Sequence, residues 1–170
     1  GPAEAVMDYV LSWSLRRADV NCIKLEPEKP KLYNYCRLIL AKFLEINLDD
    51  SVVFENVKVW KQECYIDLWV EVQVNGKNHA ILIEDKYYSP LRTGQLEGYK
   101  KDFDEYCAIQ CKFYDENYPV SKADVDTFLS ASGKAFFIKG QPFRFSDRII
   151  VSTTDKWSST AEDTIEGQLP

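Results

Sequence analysis

The sequence lacks the features on which several classes of protein depend. It has one histidine and one methionine in 170 residues, which argues against histidine-based catalysis and histidine-rich zinc sites. That histidine, His79, stands beside a turn and reads as surface decoration. Apolar runs are short, none near the roughly 20 residues of a membrane-spanning helix, and no secretory signal is visible at the amino end. There is no glycine-rich phosphate loop, which argues against ATP binding. Beyond a doubled x-K strand the sequence also has no internal repeat, and it has no low-complexity segment. Five cysteines (Cys22, Cys36, Cys64, Cys107 and Cys111) are odd in number and lack a zinc spacing. Cys107-x-x-x-Cys111 has no second knuckle to pair with, so they read as reduced, mostly buried thiols of a cytoplasmic protein.

Positive charge is also short. Lys and Arg number 21 against 27 Asp and Glu, a formal net charge of −6, which argues against holding nucleic acid by bulk electrostatics. A hydrophobic content of 45% and an aromatic content of 14% argue against disorder. The length suits one domain with a sizeable core. Gly1-Pro2 looks like a protease-cleavage scar, which leaves residues 3–170 as the expected domain.

What is present centres on residues 65–99. Ile66, Leu68, Val70, Val72 and Val74 alternate with Asp67, Trp69, Glu71 and Gln73, the period of a half-buried strand. Asn75-Gly76 follows, a strong signal for a two-residue type I′ hairpin turn, and His79–Lys86 runs back as the second strand. With Val74 opposite Lys77, the register sets Asp67 directly across from Glu84 and turns Lys86 to the same side. Two carboxylates that close repel unless a cation sits between them, and hard oxygen ligands suit Mg²⁺ or Mn²⁺. A lysine beside that cation can orient or deprotonate a bound water, or neutralise charge developing on a phosphate. A solvated sheet edge carries similar charges. Here, however, Asp67 and Glu84 interrupt otherwise apolar strands, and Gln95 and Tyr99 follow one helical turn apart.

Asp67, then Glu84-Asp85-Lys86, then Gln95-x-x-x-Tyr99 resemble the D…(D/E)-x-K and QxxxY elements of the PD-(D/E)XK nuclease superfamily. The resemblance covers most of residues 5–105. It implies that Asp67 and Glu84 bind the metal, with the backbone carbonyl of Asp85 as a further ligand. Lys86 would serve the attacking water, while Gln95 and Tyr99 would brace the lysine or a phosphate. Some superfamily members carry a further glutamate on the first helix, for which Glu4 is the candidate here. Residues 106–170, with Gln110-Cys111-Lys112 and the words IQCKFY and STTDKW, resemble a second branch. This is the Mrr-like nuclease domain at the amino end of helicase-linked restriction enzymes, where a Q-x-K strand replaces E-x-K. The chain therefore carries two x-K strands where a family member has one. Asp102 and Asp104 stand too close before Gln110 to supply a hairpin partner, so Asp67, Glu84 and Lys86 are the expected working centre. An excised or chimeric origin would also account for the doubling.

The expected order is helix, helix, strand, strand, strand, helix, strand, helix, strand, helix. It implies a three-layer α/β/α domain with a mixed central sheet, restriction-endonuclease-like by the resemblance. The two helices are expected over 4–17 and 31–46. The first carries Val6, Val10, Leu11, Trp13 and Leu15 at helical spacing; the second buries Leu32, Tyr35, Cys36, Ile39, Leu40 and Phe43. Later elements are strands at 106–114, 135–138 and 148–153, a helix capped by Ser121 and closed by Gly133, and a final helix capped by Thr154 or Asp155. Ser152-Thr153-Thr154 could instead bind phosphate. The functional expectation is a Mg²⁺-dependent deoxyribonuclease in restriction, defence or DNA processing. DNA would lie on Gln110 and on a basic rim of Arg92, Lys100, Lys101, Lys112 and Lys122. A homodimer or an attached helicase are expected partners. The alternatives are a catalytically silent binding module and a protein-interaction domain with an acidic surface.

Overall fold

The computed structural model of the chain describes residues 2–63, 66–84 and 103–168. The elements before the central sheet are α1 (Pro2–Arg16), α2 (Val20–Leu25) and α3 (Pro30–Phe43). They are followed by β1 (Phe54–Glu63), β2 (Ile66–Val74), β3 (Lys77–Glu84) and β4 (Glu105–Lys112). The remainder is α4 (Lys122–Ser132), β5 (Phe136–Ile138), β6 (Gln141–Phe143), β7 (Asp147–Ser152) and α5 (Ser159–Glu166). Five strands form a mixed sheet in the order β1-β2-β3-β4-β7. The first three are an antiparallel meander, and the β3–β4 and β4–β7 pairs are parallel. Among the described residues no helix is long and apolar enough to cross a membrane.

The hairpin follows the register read from the sequence. Asn75 and Gly76 have φ of 47° and 87°, the left-handed pair a type I′ turn requires. The ladder runs from Val74↔Lys77 to Leu68↔Ile83. A Cβ on Gly76 would meet nothing within 4 Å, so alanine there suffers only from the backbone conformation. Gly76→Ala is expected to lower unfolding free energy by about 1 kcal/mol, read as a lower urea midpoint at unchanged slope.

Helices cover both sheet faces. On one, Leu68, Val70, Ile81, Ile83, Cys107 and Ile109 pack under Leu15 of α1 and Leu40 and Phe43 of α3. On the other, Ala108 and Ile150 meet Phe128 of α4, and Val125 of α4 joins Ala161 of α5. Farther along that second face, Trp69, Leu82, Phe103 and Tyr106 pack with Phe136 and Ile138. Phe103 meets the Trp69 and Tyr106 rings edge-on, at centroid distances of 5.9 and 5.6 Å.

Several expectations are corrected. The apolar residues of α1 mostly face outward, with Val6 63% and Val10 50% exposed, and Tyr9 and Trp13 also exposed. Its inward side includes Asp8, Ser12 and Leu15. On α3, Tyr35 and Ile39 are exposed whereas Cys36, Leu40 and Phe43 are buried. The short helix α2 was not anticipated. Strand β5 pairs with β6 in a separate two-stranded ribbon rather than joining the main sheet. Ser158, not Thr154 or Asp155, caps α5, since residues 156 to 158 first bridge to Val120. His79 is buried, with Nδ1 3.3 Å from Glu105 Oε2. Burial holds its pKa below the usual histidine value despite the neighbouring carboxylates.

Candidate functional site

The hairpin positions the two acidic side chains. One step beyond Leu68↔Ile83, Asp67 and Glu84 stand on neighbouring strands, both half-buried. They lie on the face of Trp69 and Leu82, since directly paired residues share a face. The same face continues onto β4, where the parallel register pairs Glu84 with Gln110, and onto β7, where Gln110 pairs with Ile150. The E-x-K and Q-x-K elements thus begin at paired positions, and Asp67, Glu84 and Gln110 stand at one level across three adjacent strands.

Gln110 and Lys112 have settings unlike the solvent-facing ones expected. Gln110 is 0% exposed, which closes it to direct contact with nucleic acid. Among the described residues neither its Oε1 nor its Nε2 has a hydrogen-bond partner. Lys112 is 8% exposed, and its Nζ lies 3.3 Å from Asp124 Oδ1. Asp124 is the centre of a polar knot. Its carboxylate accepts from the Tyr114 hydroxyl at 2.7 Å, the Ser121 hydroxyl at 2.7 Å and the Ser121 backbone N–H at 3.0 Å. The Ser121–Asp124 bonds are a capping box, as the sequence predicts, and they start α4. Burial alone would raise the Asp124 pKa, but bonds from Ser121, Tyr114 and Lys112 outweigh it and hold the carboxyl at about 2. Burial and Asp124 together push the Tyr114 hydroxyl well above its ordinary value.

Asp104 does not serve the second motif. It accepts from the Asn78 backbone N–H at 2.7 Å, at the turn end of the sheet, whereas Gln110 lies toward the opposite end of β4. A small cleft lined by His79, Glu105, Cys107 and Asp147 also lies at that turn end, away from Glu84. Ser152, Thr153 and Thr154 bond chain groups: Thr153 Oγ1 donates to Tyr114 O at 2.8 Å, and Thr154 Oγ1 to Glu116 O at 3.2 Å. They tie the segment after β7 to the segment after β4. The side chain of Glu4 lies outside the described residues; among those described on α1, Asp8, one turn on, is a buried acid whose Oδ1 has no partner there. Helical spacing alone hid it, because the inward face of α1 is its polar one.

Asp85, Lys86, Arg92, Gln95, Tyr99, Lys100 and Lys101 lie outside the described residues. Among those described, no group of three or more His, Cys, Asp or Glu is gathered to hold a metal ion. The Asp67–Glu84 pair is therefore half of a donor set. Its hard carboxylate oxygens fit Mg²⁺ or Mn²⁺, as does the orphaned amide of Gln110 at the same level.

Residues 96–170 match the family model for a restriction endonuclease of the Mrr catalytic type, which belongs to the PD-(D/E)XK nuclease superfamily. The mixed five-stranded sheet with flanking helices is the fold expected of restriction-endonuclease-like proteins. The match spans less than half of the chain and supports nuclease activity in general. No curated protein and no solved structure matches the chain.

Proposed function

From a chain whose residues 96–170 match the restriction endonuclease family, we propose a metal-dependent nuclease that hydrolyses DNA phosphodiester bonds, in restriction, defence or DNA processing. The observation that carries this reading is the β2–β3 register, which sets Asp67 and Glu84 side by side at the open end of the hairpin. Asp67 and Glu84 would hold the cation with the backbone carbonyl of Asp85. A bound divalent ion would supply Lewis-acid polarisation of the phosphate and a lowered pKa for water. Lys86 orients the attacking water or takes its proton, and Gln95 and Tyr99 brace the lysine or the phosphate. Arg92 and Lys100 form the rim that holds the DNA backbone. A net charge of −6 then leaves DNA affinity modest.

The family match includes Gln110 and Lys112 but not Asp67, Glu84 or Lys86, which favours a rival centre on β4. Three features weigh against it: Gln110 is fully buried, Lys112 is engaged with Asp124, and Asp104 stands at the wrong end of the strand. The acidic balance of the chain favours a further rival, a protein-interaction domain that recruits a basic partner, beside a catalytically silent binding module. Single- and double-stranded DNA and RNA, incubated with the protein in Mg²⁺ and in EDTA, separate a nuclease from the non-catalytic rivals. Cleavage of DNA in Mg²⁺ that stops in EDTA is expected. Absence of cleavage with Mg²⁺ and with Mn²⁺ leaves those rivals.

A further inference from the structure

Among the described residues Gln110 is one of the largest fully buried side chains, and the one amide in that group. It lies between Glu84 of β3 and Ile150 of β7, and α4 covers the face through Phe128 against Ala108 and Ile150. A primary amide offers two donors and an acceptor. Burying it without partners is costly, and such groups are rare in folded proteins. An apolar side chain of similar volume would fill the same space at no such cost. Strand neighbours in a sheet are about 4.8 Å apart, and the Glu84 and Gln110 side chains leave on the same face. The Gln110 amide is therefore within reach of the Glu84 carboxylate after a side-chain rotation.

We propose that Gln110 is a positioning residue for Glu84: its Nε2 donates to the Glu84 carboxylate when a divalent cation occupies the site, fixing that carboxylate in its ligating orientation. The inference rests on the nuclease reading above. It explains why an unsatisfied amide is kept beside an acidic residue at the end of a strand. Groups that orient a metal ligand typically change metal affinity about 10- to 100-fold when removed. The gain is made only in the loaded state, so the unloaded fold is the less stable for it.

The test replaces Gln110 with two apolar side chains of similar volume, Gln110→Met and Gln110→Leu, and reads melting temperature, Mn²⁺ affinity by calorimetry, and Mg²⁺-dependent cleavage. The expected result is a melting temperature raised by about 2–4 °C without metal, with Mn²⁺ binding weakened about tenfold or more and cleavage slowed. If both variants melt higher and bind Mn²⁺ as the natural protein does, the amide is a packing defect and the proposal falls. If both melt lower, the amide already has partners in the unloaded fold, which also overturns it. If the natural protein itself neither binds Mn²⁺ nor cuts DNA, the nuclease reading fails and carries this inference with it. The first two failures leave the natural protein active and so are distinguishable from the third.

Discussion

Glu84→Ala is expected to lower Mg²⁺-dependent cleavage by roughly 10²–10⁴-fold, and Lys86→Ala to do the same. Both variants should keep the far-ultraviolet circular dichroism and melting temperature of the natural protein. Glu84 ends β3 and is half-buried, so its truncation opens no large cavity. The loss arises because a site with a single carboxylate holds a hard cation poorly, and a water without a nearby base is a weak nucleophile. Raising Mg²⁺ should recover part of the Glu84→Ala activity and none of the Lys86→Ala activity, since only the first loses a ligand. Gel assays over a Mg²⁺ series measure both. Cleavage that survives the two substitutions would transfer the chemistry to Gln110 and Lys112 on β4.

The other large effect is on stability. Asp124→Ala removes one charged partner of Lys112, one acceptor of the Tyr114 hydroxyl and half of the capping box of α4. Weakening the charge pairing of a buried lysine and losing the helix cap together cost on the order of 3 kcal/mol. The urea midpoint of Asp124→Ala should fall accordingly, and the double variant with Lys112→Met should regain much of the loss. The same carboxyl has a pH signature. It is held at about 2 in the folded chain and titrates near the ordinary aspartate value of about 3.9 when unfolded. Its contribution is therefore complete above pH 4 and disappears as pH falls from there towards 2. Stability measured from pH 6 to pH 2.5 should drop less steeply for Asp124→Ala than for the natural protein.

How much of this could be read from the sequence depends on how local each determinant is. Asn75-Gly76 fixes its own turn, and the turn fixes the pairing of Asp67 with Glu84. Ser121 and Asp124 write the start of α4 within four residues. The β3–β4 pairing is different. The alignment of Glu84 with Gln110 is set by contacts across a connection of some twenty residues, and no local signal encodes it. That is why Gln110 reads as a solvent-facing residue and His79 as turn decoration: the neighbour of each strand arrives from a distant part of the chain. The outward apolar face of α1 was missed for a related reason. Periodicity identifies a stripe but not the side of the helix that the sheet receives, and here small serines and an aspartate lie against it.

The shared ladder between β3 and β4 has a consequence for where the molecule can be divided. The matched segment starts at residue 96, yet its β4 pairs along six residues with a strand that ends at Glu84. A polypeptide trimmed to that segment would bare one side of β4 and strip the cover from Cys107, Ile109 and Cys111. Unpaired backbone beside an uncovered apolar row is a template for aggregation. The family boundary is therefore not a folding boundary, and the two parts of the chain are halves of one sheet.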